Sequence, residues 1–89
     1  MAGEATVWVQ SKEYKIVGAA LAKARERAGL TQKQLARKLR KPQSFVSNYE
    51  RGQRRIDVLE LLRIVEAFGG DPRRLFNDIV AVIGLARRR

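Results

Sequence analysis

The sequence predicts an all-α fold of five helices in one small domain. Three observations carry this reading. Apolar residues recur three and four positions apart in successive stretches between Tyr14 and Ala86, which is the period of amphipathic helices. Start and stop residues bracket those stretches: Thr31, Pro42, Asp57 and Asp71-Pro72 open helices, while Gly29, Gly52 and Gly69-Gly70 close them. The 89 residues include no cysteine, so neither disulfides nor the usual structural zinc sites can staple the chain, and stability must come from helix packing or a partner subunit. The one stretch with extended character is Thr6-Val7-Trp8-Val9-Gln10, in an N-terminal arm over residues 1–12. That arm, with the chain's sole tryptophan, has two alternatives open to it: packing on its own domain or on a partner. The domain itself spans residues 13–86, and residues 87–89 form a basic tail.

Taken in order, helix 1 runs from Lys12 or Glu13 to Ala28, with Tyr14, Val17, Leu21, Ala24 and Ala28 as its apolar stripe. Gly29 supplies a left-handed stop and Leu30 folds back over the last turn. Helix 2, about 32–39, is opened by Thr31 with Gln34 at the third helical position, a capping box. Leu35 and Leu39 point to its core side, and the small Ala36 permits a close helix crossing. Helix 3, about 42–51, starts at Pro42, turns Val46 and Tyr49 inward, and ends at Gly52. Helix 4 has a second box, Asp57 with Glu60, and a stripe of Val58, Leu61, Leu62, Val65 and Phe68. Helix 5 starts at Asp71-Pro72 and continues to roughly Leu85. It carries two apolar rows: Leu75, Ile79, Val82 and Ala86, and Phe76, Val80 and Ile83. One row completes the core; the other would be exposed, the mark of an interface. A homodimer through Leu75, Phe76, Ile79, Val80, Val82 and Ile83 is therefore expected, with a folded-back N-terminal arm as the alternative cover.

Charge points to the partner. Nineteen Lys and Arg against nine Asp and Glu give a formal net charge of +10, a field that draws polyanions, nucleic acid first among them. Thr31 to Gly52 reads as two short helices joined by a tight turn, the second with few core residues and many small or polar ones. That is the pattern of a helix inserted into a partner, and it suggests a DNA-reading helix-turn-helix.

The same residues resemble a known family, the lambda-repressor-like, xenobiotic-response-element (XRE) type of helix-turn-helix regulators. The likeness covers Tyr14 to Leu75. It is carried by Leu21 through Arg25, Ala28-Gly29-Leu30-Thr31-Gln32, Gln34-Leu35-Ala36, Leu39, Gln43 through Gly52, Arg54-Arg55-Ile56-Asp57, and the Leu61, Leu62 and Phe68 stripe. The resemblance implies a lambda-repressor-like DNA-binding domain acting as a transcriptional regulator. By it, Gln32 is similar to a glutamine that clamps a DNA phosphate, and Ala36 to the small residue at the crossing of helices 2 and 3. Val46 is similar to the aliphatic anchor of the recognition helix, and Arg25 with Glu50 to a buried or half-buried ion pair. Gln43, Ser44 and Asn48 fall where the family touches base edges, and Phe45 also faces DNA. One departure concerns the turn between helices 2 and 3, where the family often has glycine and this chain has Arg40. A left-handed Arg40 would cost about 1–2 kcal/mol, so a slightly different path through Arg40-Lys41-Pro42 is expected.

The chemistry fits that assignment. Gln43 and Asn48 each present a donor and an acceptor together and can pair bidentately with adenine. Ser44 and Ser47 can bond bases or phosphates with less selectivity, and Phe45 either presses on thymine methyls or packs internally. Gln32, Lys33, Lys41, Arg51, Gln53, Arg54 and Arg55 flank helix 3 as phosphate contacts, which fix register without reading sequence. Catalysis lacks its parts: there is no His, no Cys and no Gly-rich phosphate loop, and the carboxylates are scattered, so no metal or other cofactor is expected. No signal peptide or membrane span is apparent, and the basic residues do not oppose one continuous apolar helix face, so a cytoplasmic, nucleoid-associated protein without a membrane partner is expected. Double-stranded DNA is the expected partner and no small-molecule ligand is foreseen. The leading function is a dimeric repressor. An antitoxin, a restriction-modification controller and a protein-interaction adaptor are the alternatives.

Overall fold

A computed structural model describes Val9 and residues 11–84. The expected N-terminal arm with Trp8, and the C-terminal stretch with Ala86 and the basic tail, lie outside the described residues, Val9 apart. The elements are α1 (Ser11–Arg27), α2 (Gln32–Leu39), α3 (Gln43–Glu50), α4 (Val58–Ala67) and α5 (Pro72–Ile83), with no strand among the described residues. α1 packs on α3 and α5, α2 on α3 and α4, and α4 on α5.

Local chemistry sets the boundaries. Thr31 Oγ1 accepts from the Gln34 amide at 3.0 Å while Gln34 Oε1 accepts from the Thr31 amide at 2.9 Å, a complete capping box. Asp57 and Glu60 repeat it at the start of α4. Asp71 Oδ1 accepts from the Arg73 amide, with Pro72 in the first turn of α5. Pro42 stands one place outside the position expected of it: it is the N-cap of α3, with φ −65° and ψ 154°, and gives no side-chain cap.

The core is Leu21, Leu35, Ala36, Val46, Tyr49, Ile64, Val65, Leu75 and Ile79. Two stripes differ from the sequence reading. In α4 the inward residues are Ile64 and Val65 with Leu61 and Phe68 beside them, whereas Val58 is 71% exposed and Leu62 41% exposed. α4 is apolar at so many positions that its periodicity fits two stripes about one position apart, and contact with α2 and α5 selects between them. In α5 Leu75 and Ile79 are buried within the protomer, so they belong to its core and not to an exposed interface. Ile83, four residues beyond Ile79, packs partly on the same core, while Val82, expected to follow Leu75 and Ile79, is 65% exposed. The buried row is thus an i, i+4, i+8 line facing α1 and α4. Phe76, 58% exposed, and Val82 remain outside it, with Val80 half-buried.

Two further positions set how α3 is mounted. Gly18 is buried in the middle of α1, where glycine ordinarily costs about 1 kcal/mol relative to alanine. A Cβ there would overlap the carbonyl oxygen of Tyr49 and lie 2.5 Å from that of Glu50, so the glycine lets α1 touch the α3 backbone. Gly52, with φ +77°, closes α3, and a Cβ on it would meet the Lys15 backbone nitrogen at 2.7 Å. Both are places where the chain needs a residue without a side chain.

Candidate nucleic-acid interface

α3 buries Val46 and Tyr49 and turns its other side outward. Gln43 and Ser47, and likewise Ser44 and Asn48, are four apart and therefore neighbours on one face. Gln43 and Ser44 are exposed; Ser47 and Asn48 are half-buried. Some of their polar atoms are already engaged. The Ser47 hydroxyl donates to the Ser44 carbonyl at 3.4 Å, and Asn48 Oδ1 accepts from Arg51 Nη2 at 3.0 Å. Asn48 keeps its amide donors free, but its oxygen must part from Arg51 before it can accept from a base.

Phe45 takes a position between the two sequence-based alternatives. It is half-buried against the core, edge-on to Tyr49 with centroids 5.5 Å apart. The Arg54 guanidinium carbon lies 4.6 Å from its ring centroid and Lys41 Nζ 5.5 Å, so cations line the ring.

The far end of α3 is fixed by a buried pair. Arg25 Nε donates to Glu50 Oε2 at 2.8 Å and Arg25 Nη2 to Glu50 Oε1 at 3.1 Å, with side-chain exposures of 9% and 5%. The Glu50 hydrogen bonds hold the Arg25 pKa above its ordinary value against the opposing effect of burial. Arg25 Nη1 also donates to the Leu30 carbonyl at 2.7 Å, so the guanidinium ties α1, the turn after it and α3 together. Gln32 extends this network outward. Its Nε2 donates to Glu50 Oε1 at 2.8 Å, and its Oε1 accepts from Gln43 Nε2 at 3.4 Å. The expected phosphate clamp is therefore also the link between the ion pair and the first residue of α3.

The flanking cations Lys33, Lys41, Arg51, Arg54 and Arg55 are all exposed, as is Gln53. Arg51 Nη2 is 3.4 Å from the Gln53 amide oxygen, and Arg55 lies 5.4 Å from the Tyr14 ring centroid. Arg54 is more tightly held: Nη1 and Nη2 donate to the two Glu60 carboxylate oxygens at 3.1 and 2.9 Å. The Arg54 guanidinium, with the Asp57 amide second, holds the Glu60 carboxyl below its ordinary range. Reading the sequence gave Glu60 only a cap role and did not single out Gly18. An isolated glycine within a helical pattern was the available signal for Gly18; for Glu60 there was none, because its partner arrives across a loop.

The turn before α3 overturns one expectation. Arg40 is left-handed, φ 58° and ψ 42°, the one non-glycine residue with positive φ among the described residues. Its amide donates to the Arg37 carbonyl at 3.1 Å and the Lys41 amide to the Ala36 carbonyl at 3.0 Å. These are the two bonds of a Schellman stop. The turn keeps the glycine path and does not take a different one, because those bonds satisfy the end of α2.

A short helix with an outward polar face, backed on the core and flanked by cations, defines a helix-turn-helix DNA-binding module. The comparisons narrow that class. The helix-turn-helix family model matches residues 21–75, more than half of the chain. Among solved structures the chain is similar to an XRE-family like protein from Pseudomonas syringae pv. tomato, at 41% identity and TM-score 0.71, over 80% of this chain and 87% of that one. It is also similar to the restriction-modification controller protein C.AhdI from Aeromonas hydrophila, at 31% identity and TM-score 0.68, over 73% and 94% of the two chains. The clp gene regulator ClgR from C. glutamicum aligns at 25% identity and TM-score 0.71, over 78% and 88%. No curated protein matches. The chain belongs to the XRE family of helix-turn-helix proteins, and it is a DNA-binding transcriptional regulator. No helix among the described residues is long and apolar enough to cross a membrane.

Proposed function

We propose that the protein is a dimeric repressor that lays α3 in the major groove of a near-palindromic operator. The outward face of α3 supports this reading most strongly: Gln43, Ser44, Ser47 and Asn48 share it, Phe45 borders it, and no core contact needs their polar groups. Gln43 and Asn48 read adenines; Gln32, Lys33, Lys41, Arg51, Gln53 and Arg55 hold phosphates on either side. Phe76, Val80 and Val82, with the edge of Ile83, form the homodimer contact on α5, and the copies of α3 then enter successive grooves about 34 Å apart. Occupation of a promoter blocks transcription in the cytoplasm, without a small-molecule ligand.

Selection of bound duplexes from a random pool tests this directly, and should return two half-sites related by a two-fold axis. Replacing Gln43 and Asn48 together by alanine should remove the preference for the selected duplex, by about 1–3 kcal/mol for each base pair read. Undiminished preference would defeat the base-contact assignment, and a monomer on the selected duplex in sedimentation would defeat the dimer. A restriction-modification controller is the second reading, favoured by the 31% identity with C.AhdI. A nuclease gene beside the selected operator would decide for it.

A further inference from the structure

Arg54 differs from a free phosphate-seeking cation in how completely it is occupied. Both ends of its guanidinium fork are on Glu60, Nη1 also donates to the Arg55 carbonyl at 2.7 Å, and the Phe45 ring covers one face. Glu60 is itself fixed, because Oε1 accepts from the Asp57 amide at 3.1 Å in the α4 capping box. The carboxylate thus engages the half-open Arg54 side chain with the paired geometry that a phosphate would use. Lys41, Phe45, Asp57 and Glu60 line one cleft between α4 and the start of α3, so the pair sits beside the proposed DNA-facing surface.

We propose that Glu60 tunes DNA affinity: it acts as a built-in phosphate mimic that occupies Arg54 and withholds that cation from sequence-independent DNA binding. Nonspecific affinity comes almost wholly from cations on phosphates. A cation already paired with a protein carboxylate adds less to it, while the base-reading face of α3 is untouched. Glu60 thereby lowers the affinity for DNA of any sequence without contacting it. Arg54 correspondingly leaves the set of phosphate contacts read from the sequence. This inference rests on the DNA-binding reading above.

Glu60→Gln tests it, since glutamine keeps the capping box and removes the charge. Binding to a short random-sequence duplex is measured by fluorescence anisotropy between roughly 50 and 200 mM salt. The variant should bind more tightly than wild type, with a salt slope steeper by about 0.9 for each Arg54 released. Its advantage should shrink about 3.5-fold across that salt range for each such contact. Adding Arg54→Ala should abolish the gain. Asp78→Asn is the charge-matched control, because Asp78 is exposed on α5 and does not line the cleft that holds Glu60, and it should leave the slope unchanged. A Glu60→Gln response equal to wild type or to the control, or a gain that survives loss of Arg54, overturns the proposal alone. If wild type and Glu60→Gln both bind neither random nor pool-selected duplexes at the lowest salt, the DNA-binding reading falls and this inference with it.

Discussion

The two ends of α3 are built on opposite principles. At its C-terminal end the Glu50 side chain is 5% exposed and paired with Arg25, the α1 backbone at Gly18 rests on the Tyr49 and Glu50 carbonyls, and Gly52 abuts Lys15. At its N-terminal end Pro42 gives no side-chain cap, Arg40 is left-handed, and Gln43 and Ser44 are exposed. Phe45 there is half-buried on the core, with Lys41 and Arg54 beside its ring. One end is clamped and the other is presented. A helix that enters a groove, as proposed for α3, needs a fixed angle but free polar groups, and separating the two duties along eight residues meets both demands. Gln32 bridges them, with one amide atom on Glu50 and the other on Gln43.

The largest test of the contrast is Glu50→Ala. It leaves Arg25 charged, 8% exposed and without its carboxylate, which should cost about 3–5 kcal/mol. In a domain of this size that lowers the melting temperature by roughly 12 °C or more. A shift of only a few degrees would mean that the pair behaves like an exposed one, worth about 0–1 kcal/mol. Gly18→Ala should follow, at about 1–3 kcal/mol, because the contact is with backbone that cannot rotate away. The usual helix gain of alanine, about 1 kcal/mol, offsets part of that. Thermal stability at or above wild type would show that the helices can separate at no cost.

Tyr49 sharpens the same side. Its hydroxyl is buried without a hydrogen-bond partner among the described residues, and burial, with the Glu50 charge second, pushes its pKa above the ordinary 10.0. The folded state keeps that proton while an unfolded chain releases it, so above pH 10 the unfolded state is favoured as pH rises. The loss is up to about 1.4 kcal/mol per pH unit. Tyr49→Phe should flatten that alkaline limb in melting experiments and add about 1 kcal/mol at neutral pH by removing an unsatisfied group. An alkaline limb identical to wild type would show that the hydroxyl ionises freely in the folded state.

What the sequence disclosed follows the range of the forces involved. Thr31 with Gln34 and Asp57 with Glu60 are contacts within one helical turn, and their spacing alone places them. Arg25 and Glu50 lie 25 residues apart, and only the family resemblance paired them. The stripe of α4 was legible at Leu61, Val65 and Phe68 but not at Val58, Leu62 and Ile64, because these residues satisfy more than one helical face and a neighbouring helix chooses. For the same reason the two rows of α5 exchanged one member each: Val82, grouped with Leu75 and Ile79, is exposed, and Ile83, grouped with Phe76, packs on the core. Arg54 and Glu60 are six positions apart across a loop end, so neither helical period nor cap rule brings them together.

The smallest test concerns the presented end. Arg40 holds a left-handed conformation that costs about 1–2 kcal/mol, yet both bonds of the turn are made. Arg40→Gly relieves the strain but adds freedom to the unfolded chain, about 0.5–1 kcal/mol. The net gain should be about 0.5–1 kcal/mol, or a melting temperature higher by roughly 2–8 °C. The same substitution removes a cation beside the start of α3, so binding to a pool-selected duplex should weaken, with a salt slope shallower by no more than about 0.9 per protomer. Arg40→Lys separates the two effects, because lysine keeps the charge and the left-handed strain; it should match wild type in both measurements. Opposite signs for stability and binding in Arg40→Gly would show a strained residue retained at the reading end for its charge. A gain in stability with unchanged binding would instead reduce Arg40 to a turn residue that happens not to be glycine, and would leave Lys41 as the turn's phosphate contact.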